Sequence, residues 1–417
     1  MKTMILTQKN RLKLSSKKFE IIKQLSFYSA RLYNVGLYSV RQYYFNNNEY
    51  LPYAKNYHEC KNNENYKLLL SDTSQQILRI VDRNFKSFFG LLKLKSMGKY
   101  SDKIRFPNYK KQDELMNITI QGRSARIRKG YVHIGLSKAF REKHEINFRD
   151  LKFKLPKNIH TEKLQEVRIL PVFNGLEFDI EFVYKKDFEP ISGDKDKYLS
   201  LDMGLDNFAT CFDSNDGSGF IIDGRYIKSI NRHYNKQKAK YQSILSKQNI
   251  KTSKRLLRLS RKRNFKINEF FNLAVKHITG YAISKKFGSI VVGDFKGIKK
   301  EINIGKRNNQ NFVSIPFYKF KQKLQSKCEQ LGIDYHLQEE AYTSKCSFLD
   351  NEPIQKHEKY VGRRIKRGLF RTKKGILINA DLNGSANILQ KFLTSKGQRI
   401  ANPYGCVNHP PRLRLIS

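Results

Sequence analysis

The sequence predicts an α+β chain of more than one domain, and three observations carry that expectation. Apolar residues recur at three and four through residues 12 to 99, the period drops to two between 104 and 190, and strand and helix patterns interleave after 197. At 417 residues the chain exceeds one ordinary core, and 39% hydrophobic and 12% aromatic residues are enough to bury more than one.

In chain order, a short strand from Met4 to Leu6 precedes the helical stretch, where Phe19, Ile22, Leu25, Tyr28, Leu32 and Val35 keep helical spacing. Ser74 stands before the next run, QQILRIVDRNFKSFFGLL, as an expected N-cap. That run places Ile77, Ile80, Phe85 and Phe88 on an apolar face, with Arg79, Arg83 and Lys86 as a cationic stripe beside it. ARIRKGYVHIGL reads as a hairpin turning at Lys129-Gly130, and VRILPVFNGLEFDIEFVYKK as a second turning at Asn174-Gly175. Helices inserted between a first strand and later hairpins point to a small β-barrel (1–11 and 104–195) interrupted by a helical lobe (12–103). ISGDKDK, residues 191 to 197, is the expected linker.

The remainder, 196–417, reads strand, strand, strand, two basic helices, strand, helix, strand, loop, helix. YLSLDMGLDNFATCFDS and GFIIDGR supply the first three strands, GSIVVGDF the fourth and GIDYHLQEEAYTS the fifth. This is the element order of a ribonuclease-H-like domain.

Charge narrows the partner. With 81 Lys and Arg against 37 Asp and Glu the formal net charge is +44, which suits a polyanion held through counterion release. Between Asp223 and Glu269 no acidic residue occurs, and Arg255, Arg258, Arg261 and Arg263 follow a turn near Lys251, so this pair of helices is an expected nucleic-acid cradle. A cationic stripe on an average protein is a solvated helix face; at this net charge Arg79, Arg83 and Lys86 are expected to meet nucleic acid. Five scattered Cys form no CxxC pair and point to a reducing interior, and no stretch approaches the ~20 apolar residues of a membrane span. A cytoplasmic protein of a prokaryotic cell, nucleoid-associated when on DNA, is expected, with no membrane partner. No GxxxxGK[ST] loop is present, so no nucleoside triphosphate is expected. His133, His233, His277 and His336 stand apart from any nucleophile or carboxylate pattern and read as structural.

Two carboxylates are oddly placed. Asp202 lies inside the apolar strand YLSLDMG, and Asp381 in INADLNGSANIL just before a helical run. A buried unpaired carboxylate costs several kcal/mol, which a bound cation removes, and a hard cation such as Mg²⁺ prefers one or two carboxylates with water and phosphate oxygens. The plainer readings, a turn Asp and a helix-capping Asp, stay open on spacing alone.

LDMGLDNFAT, IVVGDFKGIK, EEAYTSKCS and NADLNGSANIL, in this order, resemble the TnpB family of transposon-encoded RNA-guided RuvC nucleases and its Fanzor relatives; the strand, helical-lobe and barrel order and RFPNYKK extend the likeness more weakly to the N-terminal half. The resemblance implies a WED-type β-barrel, a helical recognition lobe and a RuvC nuclease domain. It implies a guide RNA from the same element, a target double-stranded DNA with a short adjacent motif, and two Mg²⁺ ions. Two departures stand out. The family's usual second carboxylate is a Glu where this chain has Gly293 beside Asp294; in some members the Glu is thought to sit just before the Thr-Ser motif, which here is Glu340, 47 residues downstream on the expected fifth strand. Asp202, Glu340 and Asp381 are therefore the expected catalytic and metal ligands, with Glu339 the choice if the register slips by one and Asp294 a weaker one. A nuclease-dead RNA-guided repressor is the alternative that Gly293 implies. The second departure is zinc: where relatives carry two CxxC pairs, only Cys346 and His357 occur here, so no zinc is expected. In its place a basic insert (343–376) carries nine Lys or Arg and one Glu from Lys356 to Lys374; Arg363, Arg364, Lys366 and Arg367 are expected to clamp the substrate strand, the plainer reading being a disordered charged loop.

Overall fold

The computed structural model describes residues 2–191, 193–294, 313–400 and 409–416; the end of the fourth-strand motif, residues 295–299, and Cys406 lie outside them. Two compact units emerge, Thr3–Asp187 and Phe188–Ser417, the latter together with Met1–Lys2.

In the first unit, β1 (Lys2–Arg11) leads into α1 (Ser16–Asn47), α2 (Tyr53–Cys60), α3 (Glu64–Leu68) and α4 (Ser71–Ser96). Ser15 caps α1 by accepting the Lys18 N–H. Helix α4 starts at Ser71, before the expected cap, because Ser74 turns inward and donates to the Tyr66 carbonyl at 3.0 Å. There follow β2 (Ile118–Gln121), β3 (Arg126–Arg128), β4 (Tyr131–Gly135), α5 (Lys138–Lys143), β5 (Asp150–Lys154), β6 (Leu164–Val172) and β7 (Glu177–Phe188). Both hairpins form. β3 and β4 turn through Lys129 and Gly130, each in the left-handed region, and β6 and β7 through a longer loop holding Asn174 and Gly175. The strands pair as a four-stranded sheet, β1-β7-β6-β2, and a three-stranded sheet, β3-β4-β5. One continuous core joins them to the helices, from Ile22 and Phe85 to Val167 and Phe182. His133 is not isolated: its Nδ1 lies 3.1 Å from Asp150.

The second unit opens with β8 (Asp194–Met203), so half of the expected linker belongs to a strand. β9 (Asn207–Asp213) and β10 (Gly219–Asp223) complete an antiparallel meander, α6 (Arg225–Ser246) and α7 (Lys254–Ser284) form a basic hairpin, and β11 (Phe287–Asp294), α8 (Phe317–Leu331) and β12 (Asp334–Glu339) follow. β11 lies parallel to both β8 and β12, giving the order β12-β11-β8-β9-β10, with β16 (Arg412–Leu413) added parallel to β10. Counting from β8, that order is 5-4-1-2-3, with the first three strands antiparallel and the last two parallel to the first. This is the ribonuclease-H-like sheet.

Both faces of the sheet are covered, and side-chain alternation assigns each residue to one of them. Leu199, Leu201, Ile290 and Val292 face α7 and α8. Tyr198 and Val291 face α9 (Ala380–Thr394). Before α9, the basic insert is ordered as a three-stranded sheet, β13 (Arg363–Lys366), β14 (Leu369–Arg371) and β15 (Leu377–Asn379), not a disordered loop. No helix is long and apolar enough to cross a membrane among the described residues.

Candidate active site

The site grows from three neighbouring strands. Asp202 follows Leu201 on β8 and therefore shares the α9 face with Tyr198 and Ser200. On the adjoining strand the ladder Val291↔Ser200 and Val292↔Leu201 brings Gly293 opposite Asp202, on that same face. One strand further out, Gly293 pairs with Gln338, and Glu340 is two residues on, so it too points to this face. Glu340 lies one residue past the end of β12, correcting its expected place within the strand.

Strands two apart in a sheet lie roughly 10 Å from each other, too far for an Asp and a Glu to meet over a side chain on the strand between. Gly293 removes that obstacle. A Cβ built at 293 would overlap Oε1 and crowd Cδ (2.6 Å) of Glu340, so the Glu340 carboxyl fills the volume a side chain at 293 would take.

Asp381 arrives from the opposite side, in the first turn of α9. The helix is capped by Asn379, whose side chain accepts the N–H groups of Asp381 and Leu382 at 3.0 and 3.1 Å. Asp381 is thereby relieved of the capping role and faces outward, where Arg364 Nη2 donates to it at 3.0 Å and Asn207 Nδ2 donates to its other oxygen. Gly384, one helical turn on, lets the helix approach β8: a Cβ there would sit 3.0 Å from Asp202 Oδ2.

Electrostatics follow from this crowding. Burial and then the charge of Asp381 hold the Asp202 carboxyl well above the usual carboxylate range, with Arg364 opposing. Burial and then the charge of Asp202 push Glu340 up further, against the pull of Lys321. Glu340 Oε1 and Asn207 Oδ1 are buried with no hydrogen-bond partner among the described residues. Orphaned hard oxygens beside mutually repelling carboxylates fit a hard divalent cation. Asp202, Glu340 and Asp381 are the residues that could hold it, although among the described residues no three side chains already form a closed ligand cluster.

A groove of about 1150 Å³ opens over Asp202 and Asp381. Its charged lining is Asp202, Asp206 and Asp381 against Arg225, Lys228, Arg364, Arg367 and Arg412, a cationic excess despite the acids. Glu340 is not part of this lining and stands behind Asp202, over Gly293.

The other expected site residues divide. Glu339 is spoken for by Lys391 and the Ala341 N–H, and Asp294 by Lys321 at 2.8 Å. Arg364 and Arg367 reach the groove through Asp381 and Asp206, while Arg363 and Lys366 are exposed on the same β-strand. Arg263 is half-buried, donates to Asn231, Asn264 and the Ser314 carbonyl, and ties α6 to α7. Arg258 is exposed, Arg261 is half-buried, and Arg255 lies over Tyr241 with 4.7 Å to the ring centre. Arg79 lies over Tyr53 at 4.3 Å, Arg83 is exposed and Lys86 pairs with Asp82 at 2.9 Å. Cys346 is buried and its thiol donates to the Pro353 and Gln355 carbonyls, while His357 Nε2 lies 2.7 Å from the same Pro353 oxygen. Sequence reasoning missed Asn207, Arg225, Arg412 and Lys321. Asn207 sits five residues after Asp202 and carried a signal; the others meet the site only through the fold.

The family model OrfB_IS605, "Probable transposase", matches residues 181–299, and the model "Cas12f1-like, TNB domain" matches 317–388. The TnpB-like protein ORF457 of Acidianus two-tailed virus is 24% identical, over 89% of this chain and 83% of its own. Together these matches support a likeness to the TnpB family. Among solved structures, the Cas12f1–sgRNA–target DNA complex is similar with a TM-score of 0.59 and 15% identity, over 90% of this chain and 83% of that one, a likeness of fold. The mini-RNA-guided endonuclease CRISPR-Cas_phi3 is similar over 98% of this chain and 94% of that one, with a TM-score of 0.47 and 12% identity. Gly293 is the departure from the TnpB pattern, and the space above it is taken by Glu340.

Proposed function

We propose that the chain is an RNA-guided DNA endonuclease of a mobile element, in which Asp202, Glu340 and Asp381 hold two Mg²⁺ ions. One observation carries the reading: the Glu340 carboxyl lies over Gly293 beside Asp202, where a family Glu at 293 would have projected. Bound there, the ions supply an activated water and charge neutralisation at the scissile phosphate. The chain's own part is to hold three carboxylates ready and to grip the phosphodiester backbone. Arg364, Arg367, Arg225 and Lys228 line the groove for that second task, and the insert 343–376 serves as the clamp.

The solved neighbour is a complex with guide RNA and target DNA, which supports the same partners here. The unit Thr3–Asp187, with its WED-like strands and helical lobe, would read a short target-adjacent motif in duplex DNA. Guide pairing would supply the sequence specificity, and the basic helices would hold the heteroduplex through its backbone. The RuvC-like remainder, 196–417, would cut, supporting maintenance or spread of the element. Zinc has no part in this reading, because Cys346 and His357 are the only Cys or His in the insert and a closed site needs four ligands.

The test is cleavage of a supercoiled plasmid bearing a target matched to the RNA that co-purifies with the protein. Cutting with Mg²⁺ and none in chelator is expected. Asp202→Ala should abolish cutting and keep the RNA; loss of the RNA with it would contradict the assignment. Gly293 favours a nuclease-dead repressor as second reading, and tight target binding without cutting by the unaltered protein would establish it.

A further inference from the structure

The three carboxylates come from separate segments, and hydrogen bonds made by helix α9 join all three. On one side Ser200, two residues before Asp202, donates to the Ser385 carbonyl at 2.7 Å, and its Oγ lies 3.1 Å from that of Ser385. This bond fixes the helix to β8. On the other side Asn387 donates its amide to the carbonyls of Thr343 at 2.8 Å and Cys346 at 2.7 Å. Asn383 repeats the grip, donating to Cys346 O at 2.9 Å while its own oxygen accepts the Phe348 N–H at 3.0 Å. Thr343 closes the chain of bonds: its hydroxyl and its N–H both donate to the Glu340 carbonyl, at 2.9 and 3.2 Å. Thr343, Asn383 and Asn387 are all buried.

Most of these bonds join a buried side chain to a backbone carbonyl or N–H of the turn that follows Glu340. Nothing apolar in the turn could replace them, and a buried amide without its partners is costly. The bonds also act where the Glu340 side chain needs help. Its carboxyl is pushed by Asp202 and its Oε1 has no partner among the described residues, so the backbone beneath must hold it in place.

We infer that Thr343 and Asn387 are positioning residues for the proposed metal site: they lock the backbone of Glu340 to the helix that carries Asp381 and abuts Asp202. The inference rests on the reading of Asp202, Glu340 and Asp381 as ligands. Neither residue touches the ions or the substrate; each acts through the place it gives Glu340.

The experiment compares Thr343→Val, Thr343→Ser and Asn387→Asp with Glu340→Gln in the protein–guide RNA complex. Mn²⁺ binding is read by electron paramagnetic resonance without DNA, and the Mg²⁺ midpoint of cleavage is read separately. Thr343→Val keeps the volume and loses the hydroxyl; Asn387→Asp keeps the shape and loses the donor. Both are expected to weaken Mn²⁺ binding and raise the Mg²⁺ midpoint about 10- to 100-fold, the usual effect of removing support behind a metal ligand. RNA affinity should not move, and Thr343→Ser should restore both readings to within about threefold. Combined with Glu340→Gln, neither variant should weaken Mn²⁺ further. Wild-type Mn²⁺ binding by Thr343→Val, with Glu340→Gln weakened, overturns the positioning role and leaves the ligand assignment standing. Wild-type binding by Glu340→Gln itself overturns the ligand assignment. If Asn387→Asp does not fold, Asn387→Ser, which keeps one donor, gives the same comparison.

Discussion

Two acids, one in each unit, have opposite surroundings. Asp82, on α4, accepts from the Tyr50 hydroxyl at 2.6 Å and the Tyr53 N–H at 3.3 Å, and pairs with Lys86 at 2.9 Å. Burial raises its proton affinity, but Lys86 and Tyr50 more than reverse that, and its carboxyl titrates below its ordinary range. Glu340 has burial and repulsion on the same side of the balance, an orphaned oxygen, and a carboxyl held far above its range. The fold gives Asp82 its partners and leaves Glu340 short of them, so folding bears a local cost at Glu340.

The comparison can be broken at several points. The largest effect is on cutting: Asp202→Ala, Glu340→Gln or Asp381→Ala should each reduce plasmid cleavage at least ~1000-fold, as loss of a ligand in a two-ion site does, while Asp82→Asn should leave the rate within about threefold per molecule of folded protein. Next in size is steric. Gly293→Glu drives a second carboxyl into the volume Glu340 occupies and should cost roughly 3 kcal/mol of stability, measured by urea unfolding. Moving the acid instead, Gly293→Glu with Glu340→Gly, should recover stability and part of the cutting.

Stability in chelator separates the two acids by sign. Asp82→Asn removes a charged pair and should cost about 2 kcal/mol, whereas Glu340→Gln removes a repulsion and should raise the melting temperature by several degrees. Their pH dependences oppose each other as well. Because Asp202 and Glu340 are raised, the folded state holds protons the unfolded chain has released, so their contribution is greatest in acid and is lost as pH rises above the ordinary carboxylate range. Asp82 is lowered, so its contribution holds at neutral pH and is lost only in acid. Melting in chelator from pH 5 to 9 should show a decline that Glu340→Gln flattens and Asp82→Asn does not. The smallest effect belongs to the groove: Arg364→Ala with Arg367→Ala should lower the salt slope of DNA binding by about two, one for each phosphate no longer neutralised.

Much of this architecture was legible in the sequence because its carriers are local. Hairpin turns at Lys129-Gly130 and Asn174-Gly175, apolar runs of strand length, and the order of strands and helices after residue 197 need no knowledge of distant partners. Cap positions were less so: Ser74 is the right residue type, but its hydroxyl is drawn to the Tyr66 carbonyl and the helix begins earlier. The expected linker failed for a related reason, since Asp194 to Lys197 look like a loop by composition yet complete the β8 ladder. Within the site, Asp202 and Asp381 could be named from their oddity in apolar or helix-starting context. Glu340 could be named only through the family resemblance, because its role depends on a glycine on the neighbouring strand. Asn387 stayed unnoticed because an Asn in a helix is ordinary until its partners are seen.

Glu340 is proposed to replace a ligand that Gly293 cannot provide. The most direct measurement is anomalous scattering from Mn²⁺ in crystals of the protein–guide RNA–target DNA complex. Two manganese peaks are expected, with Glu340 and Asp202 both in contact with one of them and Asp381 with at least one. Peaks bound by Asp202 and Asp381 with the Glu340 carboxyl turned away would contradict it.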